Sequence, residues 1–196
     1  MKLAAFAIFL VLPSLALAER DVVPAPDNWR RESFTFPLAF APAIGLEGSE
    51  HVRFAPGWGN FAGEHGFSYV FLWDVKDVPG PALTVVGLEF ALRVYFDGLM
   101  ASVATARKLD ATPVPTAVDL HPMKDEPGWA ESHAGHIFTW NGFSKGEPLT
   151  LEIEVTKRPC PDGRVQVFYA ISKAQRNAPI WSDLRKSRAG VSCGAT

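Results

Sequence analysis

The sequence predicts an α+β domain in which a curved, mainly antiparallel sheet packs on one long helix. Three observations carry this. Apolar residues alternate with period two in several segments, one long segment between them has helical periodicity, and Gly/Pro turn signals separate the segments.

The first alternating segment is Ser33 to Phe40, with Phe34, Phe36, Leu38 and Phe40 on one face. Pro37 has no amide hydrogen to give to a ladder, so this is expected to be an edge strand. A short strand is expected at His51 to Phe54, followed by a loop punctuated by Gly57, Gly59, Gly63 and Gly66. Phe67 to Lys76 then places Phe67, Tyr69, Phe71, Trp73 and Val75 on one face, a face almost wholly aromatic.

After the stop at Val78-Pro79-Gly80-Pro81, Thr84 is the expected N-cap of a helix from Val85 to Lys108. At 100° per residue, Leu88, Leu92, Tyr95, Phe96, Leu99 and Val103 gather on a broad stripe, while Glu89, Arg93 and Asp97 line a narrow polar one. Gly98 within this pattern costs about 1 kcal/mol relative to Ala unless another chain segment approaches closely. Downstream, Val114 to Leu120 makes a weak strand, and His136, Phe138 and Trp140 share a face of another that ends at Asn141-Gly142. Leu149 to Thr156 alternates with Glu152 and Glu154 on its second face, and Val165 to Ile171 returns after the Asp162-Gly163 turn as a hairpin. Pro179 to Lys186 is a short terminal helix. This order of elements is that of hot-dog domains, an analogy of topology only.

Residues 1–18 read as an export signal. Lys2 is the positive n-region, Leu3 to Leu12 are uninterrupted and apolar, and Ala16-Leu17-Ala18 is a cleavage pattern. Ten helical residues span only about 15 Å, half of a bilayer core, so a transmembrane helix is the weaker reading. The expected organisation is therefore a signal peptide at 1–18, an extended leader at 19–32, whose Pro- and Ala-rich stretch Val22 to Asn28 is expected to be mobile and without function, and a single globular domain at 33–196. The compartment is the periplasm or the medium, with no membrane span after cleavage. In an oxidising compartment Cys160 and Cys193 are expected to form a disulfide. Closing that loop contributes about 3.8 kcal/mol by chain entropy.

The segments at 36–42 (FPLAFAP), 53–58 (RFAPGW) and 68–71 (SYVF), and more faintly the last strands and 181–185 (WSDLR), resemble a group of exported bacterial proteins without an assigned activity. The resemblance implies export and a single domain. It implies nothing about chemistry.

With 19 basic against 21 acidic side chains and no cluster of Lys and Arg, nucleic acid is not an expected partner. No cofactor signature is present. His133 and His136 point to opposite faces of a strand, so no metal site is expected unless a bulge at Gly135 resets the register. Glu50-His51 and Glu64-His65 pair an acid with an imidazole, but neighbours on an extended chain diverge. Ser68, Ser102 and Ser132 lack a G-x-S-x-G setting.

Two functional readings remain, with a third beside them. The first is a non-enzymatic protein that binds a small apolar or amphipathic ligand between sheet and helix, with Tyr69, Phe71, Trp73, His136 and Trp140 as its site. The second is a hydrolase with Asp97, Arg93 and His136 converging in the same cleft. The third is an envelope protein that binds a partner through the loop residues Trp58, Trp129 and Trp181, although such rings also serve as plugs between loop and core.

Overall fold

The computed structural model describes residues 22–194; the export signal read at 1–18 lies outside them. The elements are β1 (Arg30–Thr35), β2 (Gly48–Phe54), β3 (Tyr69–Lys76), α1 (Val85–Ala106), β4 (Ala117–Pro122), β5 (Glu131–Trp140), β6 (Pro148–Pro159), β7 (Arg164–Ser172) and α2 (Ile180–Gly190). The strands form one antiparallel sheet in the order β1-β2-β3-β7-β6-β5-β4. Two meanders, β1-β2-β3 and β4-β5-β6-β7, are thus joined by α1 and close on each other where β7 pairs with β3. Three strands precede α1, where the hot-dog-like order has one.

The helix starts where its chemistry says it should. The Thr84 hydroxyl accepts a hydrogen bond from the Gly87 amide, satisfying a donor that the first turn leaves free. Gly98 has the close neighbour that its presence implied: a Cβ there would run into the Phe40 carbonyl oxygen. On this side of the sheet Tyr69, Phe71, Trp73 and Val75 of β3 and Val165, Val167, Tyr169 and Ile171 of β7 bury against Leu88, Leu92, Tyr95, Phe96 and Met100. Each such side chain contributes about 1.5–3 kcal/mol of transfer free energy.

The opposite face is covered as well. Val70 and Leu72 of β3 and Phe168 and Ala170 of β7 pack against Ile180, Trp181 and Leu184 of α2, with Val23, Trp29, Trp129 and Val191 completing a second core. The sheet therefore lies between two helices. Within the stretch Val22 to Asn28, expected to be mobile, Val23 is buried in this core and its carbonyl accepts from the Arg53 Nε at 3.1 Å; Trp29, next along the chain, is buried there too. The first strand begins at Arg30 and ends at Thr35, earlier than expected. Beyond it, a cis Phe36–Pro37 bond leads into a loop that still buries Phe36 and Leu38. Those residues satisfied a strand alternation without being in a strand.

On the second face of β6, Glu152 and Glu154 are buried, not solvated. Arg185 and Arg188 of α2 meet Glu154 at 2.5 and 2.9 Å, Arg188 also meets Glu126 at 2.7 Å, and Arg176 meets Glu152 at 2.9 Å. These pairs seat α2. Cys160 and Cys193 form the expected disulfide, which holds the tail where Arg158 donates to the Val191 carbonyl at 2.9 Å and Gln166 to that of Ser192 at 3.2 Å. Among the described residues no helix is long and apolar enough to cross a membrane.

Candidate functional site

A cavity of about 160 Å³ lies between the C-terminal half of α1 and the β1–β3 end of the sheet. Tyr95, Leu99, Met100 and Val103 come from the helix. Arg30, Glu32 and Phe34 of β1, Val52 and Phe54 of β2 and Tyr69 of β3 come from the sheet. Loops supply Phe40, Trp58, Phe67 and Phe143, so most of the wall is aromatic.

Most of the ring pairs in the wall stand at steep angles, although Phe54 stacks on Tyr69 at 5.8 Å and 28°. Phe40 meets Tyr95 edge-on at 5.0 Å and 85°, Phe54 meets Trp58 at 4.7 Å and 63°, and Trp58 meets Phe143 at 5.3 Å and 85°. Perpendicular rings brace each other and enclose space that stacked rings would close. Phe67 holds a left-handed backbone (φ 56°), which costs about 1–2 kcal/mol for a residue with a Cβ. The close passage of Phe40 over Gly98 brings the Phe40 ring to Tyr95. At the rim, the Arg30 guanidinium lies 4.4 Å above the Phe54 ring and 5.4 Å from that of Trp58, and reaches the Glu32 carboxylate at 3.4 Å.

Glu50 sits beside this wall. It lies two residues before Val52 on β2, opposite Phe34 on one side and Trp73 on the other. It is fully buried, and the Tyr95 hydroxyl donates to its Oε1 at 2.8 Å. Burial raises its carboxyl to about 7; the Tyr95 hydrogen bond opposes that rise and the charge of Glu32 adds to it. Its Oε2 has no hydrogen-bond partner, and neither do the buried Nε1 atoms of Trp58 and Trp73 or the Tyr169 hydroxyl. Burial, with the Glu50 charge, also holds the Tyr69, Tyr95 and Tyr169 phenols above their ordinary range.

The expected ligand-binding residues do not assemble as one site. Tyr69 is in the cavity wall. Phe71 stacks on Tyr95 (5.4 Å, 3°) and on Tyr169 (4.3 Å, 18°), and Trp73 packs edge-on against Phe36 at 5.6 Å; both fill the helix–sheet interface instead of lining an opening. Trp140, the last residue of β5, is buried in the main core outside the cavity wall.

His136 lies on the other face of the sheet. It is paired in register with Glu152, whose carboxylate is 3.5 Å from Nε2, and Asp119 is 3.4 Å from Nδ1. Burial pushes the Asp119 carboxyl up, but the His136 amide and ring outweigh this and hold it below its ordinary value. Asp97 faces elsewhere. Its Oδ1 accepts from the Thr116 amide at 2.8 Å, and Glu89 accepts from the Leu120 amide at 2.9 Å, so these acids satisfy amides at the β4 edge of the sheet. Arg93 is exposed beside Phe90, its guanidinium 6.0 Å from that ring. Asp97, Arg93 and His136 therefore do not converge, and the β5 register runs unbroken through Gly135. Among the described residues no group of three His, Cys, Asp or Glu is placed to hold a metal.

The loop tryptophans are separated in the same way. Trp58 is in the cavity wall, while Trp129, with the Arg158 guanidinium 4.4 Å above its ring, and Trp181 belong to the second core. The sequence placed Phe40 and Phe67 on aromatic faces without assigning them to the site, and gave no site role to Phe54, Phe143, Arg30, Glu32 or Glu50. The shared parity of Glu50, Val52 and Phe54 was a usable signal for one of them, since it puts the acid on the apolar face.

Fold and cavity define an antiparallel α+β domain with an aromatic-walled pocket. Comparison with protein families, with curated proteins and with solved structures finds no match.

Proposed function

We propose that this is an exported, non-enzymatic binding protein that takes a small apolar or amphipathic ligand between α1 and the β1–β3 end of the sheet. The observation that carries the reading is the cavity, which the surrounding rings leave unfilled. Apolar cavities of about 150 Å³ admit a single benzene-sized body, and burial is worth about 25 cal/mol for each Å² removed from water. The ligand portion taken up is therefore one ring or one compact branched group. Contact between Phe143 of the β5–β6 turn and Trp58 of the β2–β3 loop, hairpins separated in the sheet by β7, supports a sheet curved around α1. The hot-dog analogy adds no more than a long helix lying on an antiparallel sheet. The Cys160–Cys193 disulfide supports export to the periplasm or the medium.

The test is a thermal-shift screen of small aromatic and branched compounds on the wild-type protein and on Leu99→Trp, which fills the cavity from the half-buried helix face. At least one compound raises the wild-type Tm and leaves the filled variant unchanged. Absence of any shift, or the same shift in both proteins, overturns the reading.

A further inference from the structure

We infer that the cavity selects a small organic cation, an ammonium carrying compact alkyl groups, over neutral and anionic compounds of the same size. The inference rests on the reading of the cavity as a ligand site and adds the charge of its ligand.

The wall supplies the first argument. Faces of Phe, Tyr and Trp carry negative potential, and a cation within about 6 Å of a ring centroid is attracted to them, the more so where water is excluded. Here most rings stand at steep mutual angles, so their faces do not all point the same way, and a compact cation is suited to a wall of differently oriented rings. The protein already uses two of these rings in this way, because the Arg30 guanidinium sits over Phe54 and near Trp58.

Charge supplies the second. Arg30 and Glu32 are the ionic residues of the wall, and they pair with each other. Behind the wall stands Glu50, whose Oε2 has no partner. The acids therefore exceed the bases by one, and the excess acid is the buried one. A cation in the cavity gains from that carboxylate, an anion is repelled by it, and a neutral body gains only burial. Arg30 is more than half exposed on an edge strand. It acts as an internal competitor that an external cation displaces.

Three probes of matched size test this in the full chain: choline, its uncharged carbon isostere dimethylbutanol, and pivalate. Dissociation constants are measured by titration calorimetry at low salt and pH 8, where Glu50 is mostly ionised. Choline is expected to bind about tenfold tighter than dimethylbutanol, with pivalate weakest. Arg30→Ala removes the competitor and tightens choline severalfold. Glu50→Gln keeps an acceptor for Tyr95, weakens choline severalfold and leaves dimethylbutanol unchanged. If dimethylbutanol binds as tightly as choline, the cavity is a ligand site but the charge assignment is wrong. If pivalate binds best and Arg30→Ala abolishes its binding, the assignment has the wrong sign. If none of the three binds and no compound in the thermal screen does either, the underlying site is overturned and the inference with it.

Discussion

Replacing Glu50 by Gln isolates, among the described residues, the one buried acid on the α1 side of the sheet, and its effect on stability is fixed in sign by linkage. In the folded protein this carboxyl titrates at about 7; in the unfolded chain it titrates at its ordinary 4.5. Between those values the folded state holds a proton that the unfolded state has released, so stability falls as pH rises through the window and levels off above it. At 1.36 kcal/mol per pH unit the full penalty is about 3 kcal/mol, of which about 2.5 develops between pH 5 and pH 8. The titratable groups that interact with Glu50 are Glu32 of β1 and the phenols of Tyr69, Tyr95 and Tyr169. The three phenols are held above their ordinary range and do not titrate in the window. Glu50→Gln abolishes the titration, and any cost of packing the amide is the same at every pH. The assay is urea unfolding of both proteins at pH 5, 6, 7 and 8. With a slope of about 2 kcal/mol/M, the variant's midpoint gains about 1.2 M on the wild type between the first pH and the last. Parallel pH profiles for the two proteins would refute the assignment of a raised, buried carboxyl to Glu50.

Gly98→Ala is a helix substitution that ordinarily stabilises by about 1 kcal/mol. Because the new methyl meets the Phe40 carbonyl, the sign reverses to a loss of about 1–3 kcal/mol in urea unfolding, and ligand response falls as Phe40 leaves the wall. Arg188→Ala leaves the half-buried Glu126 unpaired, reduces the buried Glu154 to its partly exposed partner Arg185, and lowers stability by about 3 kcal/mol, whereas Arg185→Ala, at a side chain two-fifths exposed, costs about 1 kcal/mol or less. Equal losses in the two variants would show that Arg188 is not the pin of α2. Cys160→Ser with Cys193→Ser removes a loop constraint worth up to about 3.8 kcal/mol; it is expected to lower the non-reducing urea midpoint and speed amide exchange at Val191 and Ser192.

The elements that could be read in the sequence are those whose local pattern and final environment agree. Thr84 caps α1, the residues from Tyr69 to Val75 alternate as expected, and the β6–β7 hairpin turns at Asp162-Gly163. Misreadings arose where a distant segment changed the environment. Glu152 and Glu154 look solvent-facing on β6, yet their arginines stand more than twenty residues downstream on the segment that becomes α2 and its approach. The leader looks featureless, but Val23 and Trp29 find their core only once β3, β7 and α2 are in place. A run such as Tyr69-Val70-Phe71-Leu72-Trp73, apolar at odd and even positions alike, is the local sign that both faces are covered.

The cavity was harder to read for a related reason. Tyr69, Tyr95 and Leu99 were legible as facing residues of one strand and one helix, but the remaining rings arrive from three loops and two other strands. Phe71 and Trp73 belong to the same aromatic face as Tyr69 and differ only in what lies opposite. Tyr95 and Tyr169 stack on Phe71 and leave no room there. Tyr69 stands closer to the open end, where Leu99 and Val103 of the helix are only half buried and Trp58, Phe54 and Phe143 meet edge-on. The number of aromatic residues on the sheet does not by itself make a pocket. Where Phe71 is stacked between Tyr95 and Tyr169 the face is closed core, and where Trp58 stands edge-on to Phe54, Tyr69 and Phe143 it keeps its opening, with Arg30 at the rim and Glu50 beside it.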